Sequence, residues 1–506
     1  MLGKELSNLD LLKTIVNRKS VSLIILILLF ISSYSRAGTI VYTVSDFGIK
    51  SNNTDDYTSA IQVILDKLRQ DDNDNIIVYF PKGNYHFSGR LVVKSNNTNI
   101  LGEDGTKLIF TQQKNVKNNR DGYQMYNRGI LVSKKLKNVY IENLFLKGYS
   151  ENNQVGYAVR FDDFANNSGV KKCIMDGFTG GILYNLANNN MLCEGNVFRN
   201  MTFVPKVKAG GYGIVFQSSH NTVTRNNTFE SSIYRHAVYY ARNQAHLNMG
   251  GSGHKFINNT IYGSVQDNYL TGNEQAFKIL GNSELLIENN NFIGGVGHIW
   301  IVENEKGVKR IPEDIIISNN TFKNMINNSK SRVYGVGVDG NSYVNNLKIV
   351  NNFFDKNDVD ELIKLQRGSN VNISNNIVNQ LESGHFVIVD YGISNLQIIN
   401  NKVNMNSDYD GIYIGRYNKN LEYQTNVEIR KNVIKNALFS IYAINMIGDI
   451  EDNEFHSMNT SIQIESGSFK GKISNNRLFN GRFGVFNKPE NKYESFQNNY
   501  VEKLKK

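Results

Sequence analysis

Proline is scarce in this chain, with four in 506 residues. Pro81, Pro205, Pro312 and Pro489 all fall between strand-like runs, as suits a residue that cannot donate to a sheet ladder. Cysteine is rarer still: Cys173 and Cys193 leave no Cys/His zinc spacing. There is no phosphate loop either, because Gly-x-Gly occurrences such as Gly335-Val336-Gly337 sit inside strands. Neither sign of charge dominates, with 56 basic against 46 acidic side chains and a net of +10. A basic run such as Lys306–Arg310 reads as a solvated loop, so no nucleic-acid partner is expected. No apolar run is long enough for a comfortable membrane span, which takes about 20 residues. The longest, Val21–Ile31, follows Lys13, Arg18 and Lys19 and precedes Ser35-Arg36-Ala37. That order of features predicts an export signal over residues 1–37, with a periplasmic or secreted mature chain. Membrane attachment is expected only if the signal stays uncleaved. Without it the net charge is about +7, a mild excess that suits an anionic partner.

What the chain has in abundance is asparagine in pairs, behind an apolar-x-apolar-x-Asn-Asn-x-apolar frame. The pairs are Asn226-Asn227, Asn258-Asn259, Asn289-Asn290, Asn319-Asn320, Asn351-Asn352, Asn375-Asn376, Asn400-Asn401, Asn475-Asn476 and Asn498-Asn499. Lys431-Asn432 and Asp452-Asn453 are degenerate copies. The spacing of 21 to 32 residues marks a repeat architecture in which each unit packs on its neighbours. The fold class is therefore all-β: a single-stranded parallel β-helix of about 14 coils over residues 91–506, at ~4.8 Å per coil. Inward turn asparagines are expected to form a hydrogen-bonded ladder. In this register Cys193 takes an inward strand position and Cys173 an asparagine position one coil earlier. That offset does not suit a bridge, so two free buried thiols are expected.

Residues 38–90 read as an N-terminal cap. Thr39–Phe47 is a predicted strand, Thr54 caps a predicted helix over residues 55–69, and Ile76–Phe80 is a buried strand. The helix covers the open edge of the first coil.

A second series of strands alternates in-out-in, as in Val238-Tyr239-Tyr240, Phe277-Lys278-Ile279 and Ile299-Trp300-Ile301. Its outward column runs Leu131, Arg160, Leu183, Val215, Tyr239, Lys278, Trp300, Gly337, Lys364, Ile388, Tyr413, Tyr442 and Gln463. Tyr239, Lys278 and the single tryptophan, Trp300, are thus predicted neighbours, on coils long enough to carry loops. Arg235, His236, Arg242, His254, Glu274, His298 and Glu303 lie at the ends of the same strands. Exposed aromatic faces stack on sugar rings, and a lysine beside them meets a carboxylate. Lys278, Tyr239, His236 and His298 are the candidate catalytic groups, since lysine or histidine serves as a general base once its pKa is lowered. Trp300, Arg242, Glu274 and Glu303 are the candidate substrate-binding groups. Hydrolysis needs two carboxylates at a defined separation. Asp339 and Asp390 share an outward column two coils apart, with Gln366 between, which predicts a spacing of about 10 Å.

Ser45-Asp46-Phe47-Gly48, Asp55-Asp56 ahead of Ala60-Ile61, and Phe80-Pro81-Lys82-Gly83-Asn84-Tyr85 resemble the N-terminal signature of the pectate-lyase-like right-handed parallel β-helix superfamily. The segment His298–Asn304 also resembles one coil of the β-helix protein of the colanic-acid export cluster. The resemblance implies a carbohydrate-active protein on an acidic polysaccharide, acting by lyase-type β-elimination. Some superfamily lyases use a lysine and an arginine on successive coils; Glu274 and Lys278 are similar to that pattern, with His298 and Trp300 where the arginine is expected. The alternatives are a non-catalytic glycan-binding protein of capsule or exopolysaccharide assembly, an epimerase, or a glycoside hydrolase. Calcium is the one cofactor the resemblance brings into view, although no carboxylate cluster in the sequence compels a metal site. β-Helix spikes are often trimers, but the chain has no evident trimerisation element.

Overall fold

A computed structural model describes residues 38–502 apart from 69–74, 112–123, 126–128, 150–153, 205–208, 242–249, 264–275, 296, 306–307, 328–332, 340–341, 407, 416–423, 466–468, 480–482 and 488–494. The predicted signal, Arg242 and Glu274 lie outside the described residues. No helix among the described residues is long and apolar enough to cross a membrane.

The chain winds as a right-handed parallel β-helix. One wall is an 18-stranded sheet, and the other two walls form a continuous 28-stranded sheet that bends around a corner. The strand Ile377–Val389 runs through that bend, which is why the two walls count as one sheet. Each coil passes along the first wall, turns at the asparagine pair, crosses the second wall, bends, and returns along the third.

The asparagine pair divides its labour. The first residue of each pair adopts a left-handed backbone, with φ between 54° and 58°. Lys431 and Asp452 take that position in the degenerate copies, at φ 56° each. The second residue faces inward and is fully buried in nearly every coil. Its Oδ1 accepts both the backbone N–H and the Nδ2 of the preceding coil's asparagine, as at Asn290 and Asn320, each at 2.9 Å. This chain runs from Asn196 to Asn499. It starts at Cys173, whose backbone N–H donates to Asn196 Oδ1 at 2.9 Å. Truncating one asparagine strands a backbone N–H in the core, at a cost of roughly 1–3 kcal/mol for each unpaired group. Both cysteines are free and buried, and burial pushes the Cys173 thiol up to about 12.

Aromatic columns fill the interior. Phe161, Tyr184, Phe216 and Tyr240 stack at centroid spacings of 5.2, 4.9 and 4.7 Å. Phe292, Phe322 and Phe354 stack at 4.8 Å per step. In-register parallel pairing places like residues one above another, so a repeated position becomes a column.

The cap differs from expectation in detail. The strand ends at Thr43, and Val44–Phe47 forms a 3-10 turn. The helix is Thr58–Lys67, later than the sequence suggests, and Thr54 does not cap it. Asp56 receives the Thr58 N–H at 3.0 Å instead and also the Ser88 N–H at 3.0 Å, pinning the helix to the first coil. Burial raises the Asp56 pKa, but the hydrogen bonds from Ser88 and Thr58 outweigh it and hold the pKa at about 2.

Candidate active site

The third wall carries the site, and the bend that leads into it decides which side chains face out. Two consecutive residues point inward there: Ala237-Val238, Leu362-Ile363 and Phe386-Val387 are all buried in the core. The outward residues flanking each pair are therefore three apart: His236 and Tyr239, Glu361 and Lys364, His385 and Ile388. Asp410 and Tyr413 flank Gly411-Ile412 in the same way. Register stacks them, with Tyr334 beside Glu361 and Glu361 beside His385. A strict period of two across the bend misses this row. The doubled inward residues before each strand are the signal that finds it.

The wall is also less exposed than a bare strand face. Leu183, Val215 and Ala241 form a second apolar cluster under Tyr157, Tyr212 and Tyr239. Arg235 lies over the rings of Tyr212 and Phe203, at 5.4 and 5.7 Å, and donates to the Tyr212 hydroxyl.

Tyr239, Lys278 and Trp300 are consecutive register partners. All three are partly exposed. The Lys278 ammonium sits 5.0 Å from the Tyr239 ring centroid and 4.5 Å from that of Trp300. Contact with ring faces favours the charged ammonium. His236 lies beneath this group, buried, with its ring 5.6 Å from Tyr239.

His298 is not on this face, which corrects the expectation that it is a catalytic group here. It is the first of two inward residues at the bend, fully buried between Phe292 and Phe322 at 5.3 and 5.5 Å. Burial lowers its pKa to about 3, so it is neutral and sealed from any ligand. His254 is likewise internal, with Nδ1 2.9 Å from Thr222 Oγ1. Glu303 is a brace: its Oε2 accepts the Tyr343 N–H at 2.9 Å, and its own N–H donates to Ser342 Oγ at 3.0 Å.

Two coils beyond Trp300, Lys364 gathers the acids. Its Nζ is 3.6 Å from Asp390 Oδ2, 3.8 Å from Asp339 Oδ1 and 4.0 Å from Glu361 Oε1. Tyr334 lies across Gly337, where a Cβ would meet its ring at 2.5 Å. Its hydroxyl donates to Asp339 Oδ2 at 2.6 Å and receives Lys364 Nζ at 3.4 Å. Gln366 Nε2 donates to Asp339 Oδ1 at 2.7 Å. Side-chain exposure is 1% for Lys364 and Asp390, 8% for Glu361 and 27% for Asp339, so Asp339 is the most accessible acid. The expected 10 Å gap between Asp339 and Asp390 does not survive at the side chains, because both lean over one ammonium. No two of these three oxygens are more than about 8 Å apart, below the upper limit of roughly 9.5 Å for carboxylate pairs in glycoside cleavage.

The next coils continue the row. His385 Nδ1 is 3.8 Å from Asp410 Oδ2, and Tyr409 and Tyr413 both meet the His385 ring edge-on at 5.6 Å. Tyr413 stacks on Tyr442 at 5.0 Å. Burial pushes the Asp410 carboxyl up to about 7, against one backbone hydrogen bond from Phe439. Burial also lowers the His385 pKa, opposed by its backbone bond to Asp410 and by the Asp390 charge.

Calcium does not fit this cluster, because the Lys364 ammonium fills the position a cation would take. Among the described residues no group of three His, Cys, Asp or Glu is arranged to hold a metal ion.

A family described as rhamnogalacturonase A/epimerase, pectate lyase-like, matches residues 41–247. No curated protein matches the chain. Among solved structures, the tailspike protein of E. coli bacteriophage HK620, a mutant in complex with a pentasaccharide, aligns with a TM-score of 0.53. Identity is 12%, over 91% of this chain and 78% of that one. DFA-IIIase from Arthrobacter chlorophenolicus A6, without its lid, aligns with a TM-score of 0.53 at 13% identity, over 74% of this chain and 95% of that one. These likenesses establish the fold.

Proposed function

We propose, starting from a chain that has the pectate-lyase-like right-handed parallel β-helix fold, that it is an exported enzyme that cleaves glycosidic bonds in an acidic polysaccharide. One observation carries the reading: three carboxylates on three successive coils converge on the Lys364 ammonium, in line with Tyr239, Lys278 and Trp300. Aromatic faces bind sugar rings, a lysine between them meets a uronate carboxylate, and a carboxylate pair beyond them does the chemistry. The fold relatives lend support, since the HK620 tailspike is in complex with a pentasaccharide and DFA-IIIase is also found in complex with GF2.

In this reading Glu361 protonates the leaving glycosidic oxygen. Asp339, oriented by Tyr334 and Gln366, acts on the opposite side of the anomeric carbon, as nucleophile or by activating water. Lys364 and Asp390 position that pair. Lys278 binds the substrate carboxylate as an ammonium.

β-Elimination is the second reading, favoured by Lys278 lying in register between Tyr239 and Trp300. Lys278 then neutralises the carboxylate as the enolate develops. Tyr239, its register partner on the preceding coil, is the candidate for proton transfer.

The test is to incubate the mature chain with polygalacturonate and alginate, following reducing ends and ultraviolet absorbance together. New reducing ends without absorbance support hydrolysis. Absorbance from an unsaturated uronate replaces it with elimination. Retained binding with neither product makes the chain a non-catalytic glycan binder.

A further inference from the structure

The first wall, a different sheet from the one that holds the carboxylate row, carries a recess of about 390 Å³ over four coils. Its strands are Tyr343–Val350, Arg367–Ser374, Ile393–Ile399 and Gln424–Arg430, paired parallel and in register. One rim is a row of turn asparagines. Asn426 Nδ2 donates to Asn395 Oδ1 at 2.7 Å, and Asn395 Nδ2 to Asn370 Oδ1 at 2.9 Å. Their left-handed backbones, with φ of 55° to 56°, give these a structural role in each coil.

The floor has no such explanation. Lys348, Asn372, Gln397 and Glu428 occupy one register position on successive coils. On the three coils before them the same position holds Lys255, Leu286 and Ile316. The repeat therefore does not generate the amides. Asn372 Nδ2 donates to Gln397 Oε1 at 3.2 Å, and Gln397 Nε2 to Glu428 Oε2 at 3.3 Å. Asn372 Oδ1 is buried and has no hydrogen-bond partner. A buried acceptor without a donor costs roughly 1–3 kcal/mol, so the amide is not placed there for the stability of the coil.

We infer that this recess is a second glycan-binding site, for a hydroxyl-rich stretch of a chain lying along the helix axis. Each amide offers both a donor and an acceptor, and so does each sugar hydroxyl. The coil spacing, ~4.8 Å, is comparable with the length of one pyranose residue, so successive coils meet successive sugars. Glu428 at one end is already paired with Arg430 at 2.9 Å, so the amides are the groups left to meet hydroxyls. The inference rests on the reading that the chain handles a glycan, and adds a hold on the polymer remote from the reaction centre.

Electrophoresis through gels containing polygalacturonate, alginate or dextran tests it. The proteins are wild type, Trp300→Ala, and Asn372→Leu with Gln397→Leu; Gln397→Glu keeps the recess shape while adding charge. Both recess variants are expected to lose about tenfold in affinity for at least one polymer, with unchanged turnover of short oligosaccharides. The same loss without any turnover or Trp300 effect supports the recess and removes the proposed function. Recess variants retarded like wild type, while Trp300→Ala is not, overturn the inference and leave the proposed function standing. No retardation of wild type in any gel overturns both.

Discussion

Two lysines on one wall, three coils apart, use the same charge in opposite ways. Lys278 is partly exposed and meets two ring faces, with its ammonium 4.5 Å from the Trp300 centroid. Lys364 is buried and meets three carboxylates and a phenol. A cation over rings keeps its charge and stays available to a ligand. A cation inside a cage of acids is committed to the protein, and what it makes available is the orientation of those acids. Under the proposed function, the contrast puts binding at one end of the row and chemistry at the other.

The hardest test of that division is to neutralise the acids. Asp339→Asn and Glu361→Gln should each lower kcat by roughly 10²–10⁴-fold, the scale of a lost acid or base, with glycan binding retained. Loss of binding without loss of turnover would invert the assignment. Next comes Lys364→Met, which leaves buried Asp390 without its counter-ion. A broken buried pair typically costs about 3–5 kcal/mol, so the urea midpoint should drop markedly. Lys278→Met should leave that midpoint nearly unchanged. Equal effects at the two lysines would erase the comparison.

A smaller effect is expected at the platform. Trp300→Ala should weaken polymer affinity about tenfold, or ~1.4 kcal/mol, as read by isothermal titration with the Glu361→Gln protein. A change in pH profile is expected at Asp410. Asp410 has a raised pKa, about 7 against an ordinary 3.8. Between those values the folded chain keeps a proton that the unfolded chain has released, so this contribution to stability is full below pH ~4 and lost as pH rises to 7. Lowering of the His385 pKa acts in the reverse sense below its ordinary 6.5, gaining stability as pH rises. Comparing urea midpoints of wild type and Asp410→Asn across pH 4–8 isolates the first effect. Identical profiles would remove Asp410 from the titrating set.

The coil was readable from the sequence because its signal is repeated. The asparagine pairs give the register, and parallel stacking turns register into contact, so Tyr239, Lys278 and Trp300 were found as neighbours from spacing alone. The acidic row was harder. Asp339, Asp390, Gln366 and Lys364 were visible as outward positions, but their convergence depends on side-chain lean rather than backbone spacing. A strict alternation leaves out Tyr334, Glu361, His385 and Asp410 and puts His298 on the outside. It fails at the bend, where two residues in succession face the core. The helix starts later than the local sequence suggests, because Asp56 takes the Thr58 N–H and is itself tied to Ser88, thirty-two residues away, which no local pattern records.

The ladder from Asn196 to Asn499 has a consequence for how such a protein can change. Each step of the ladder joins only adjacent coils, so a coil is an exchangeable module. Insertion or loss of one whole module leaves every step of the ladder with an equivalent partner. The distance from the tryptophan to the acids then changes in whole steps of about 4.8 Å and never by fractions. Under the proposed function, the spacing between glycan-binding positions along the wall is inherited as a whole number of coils.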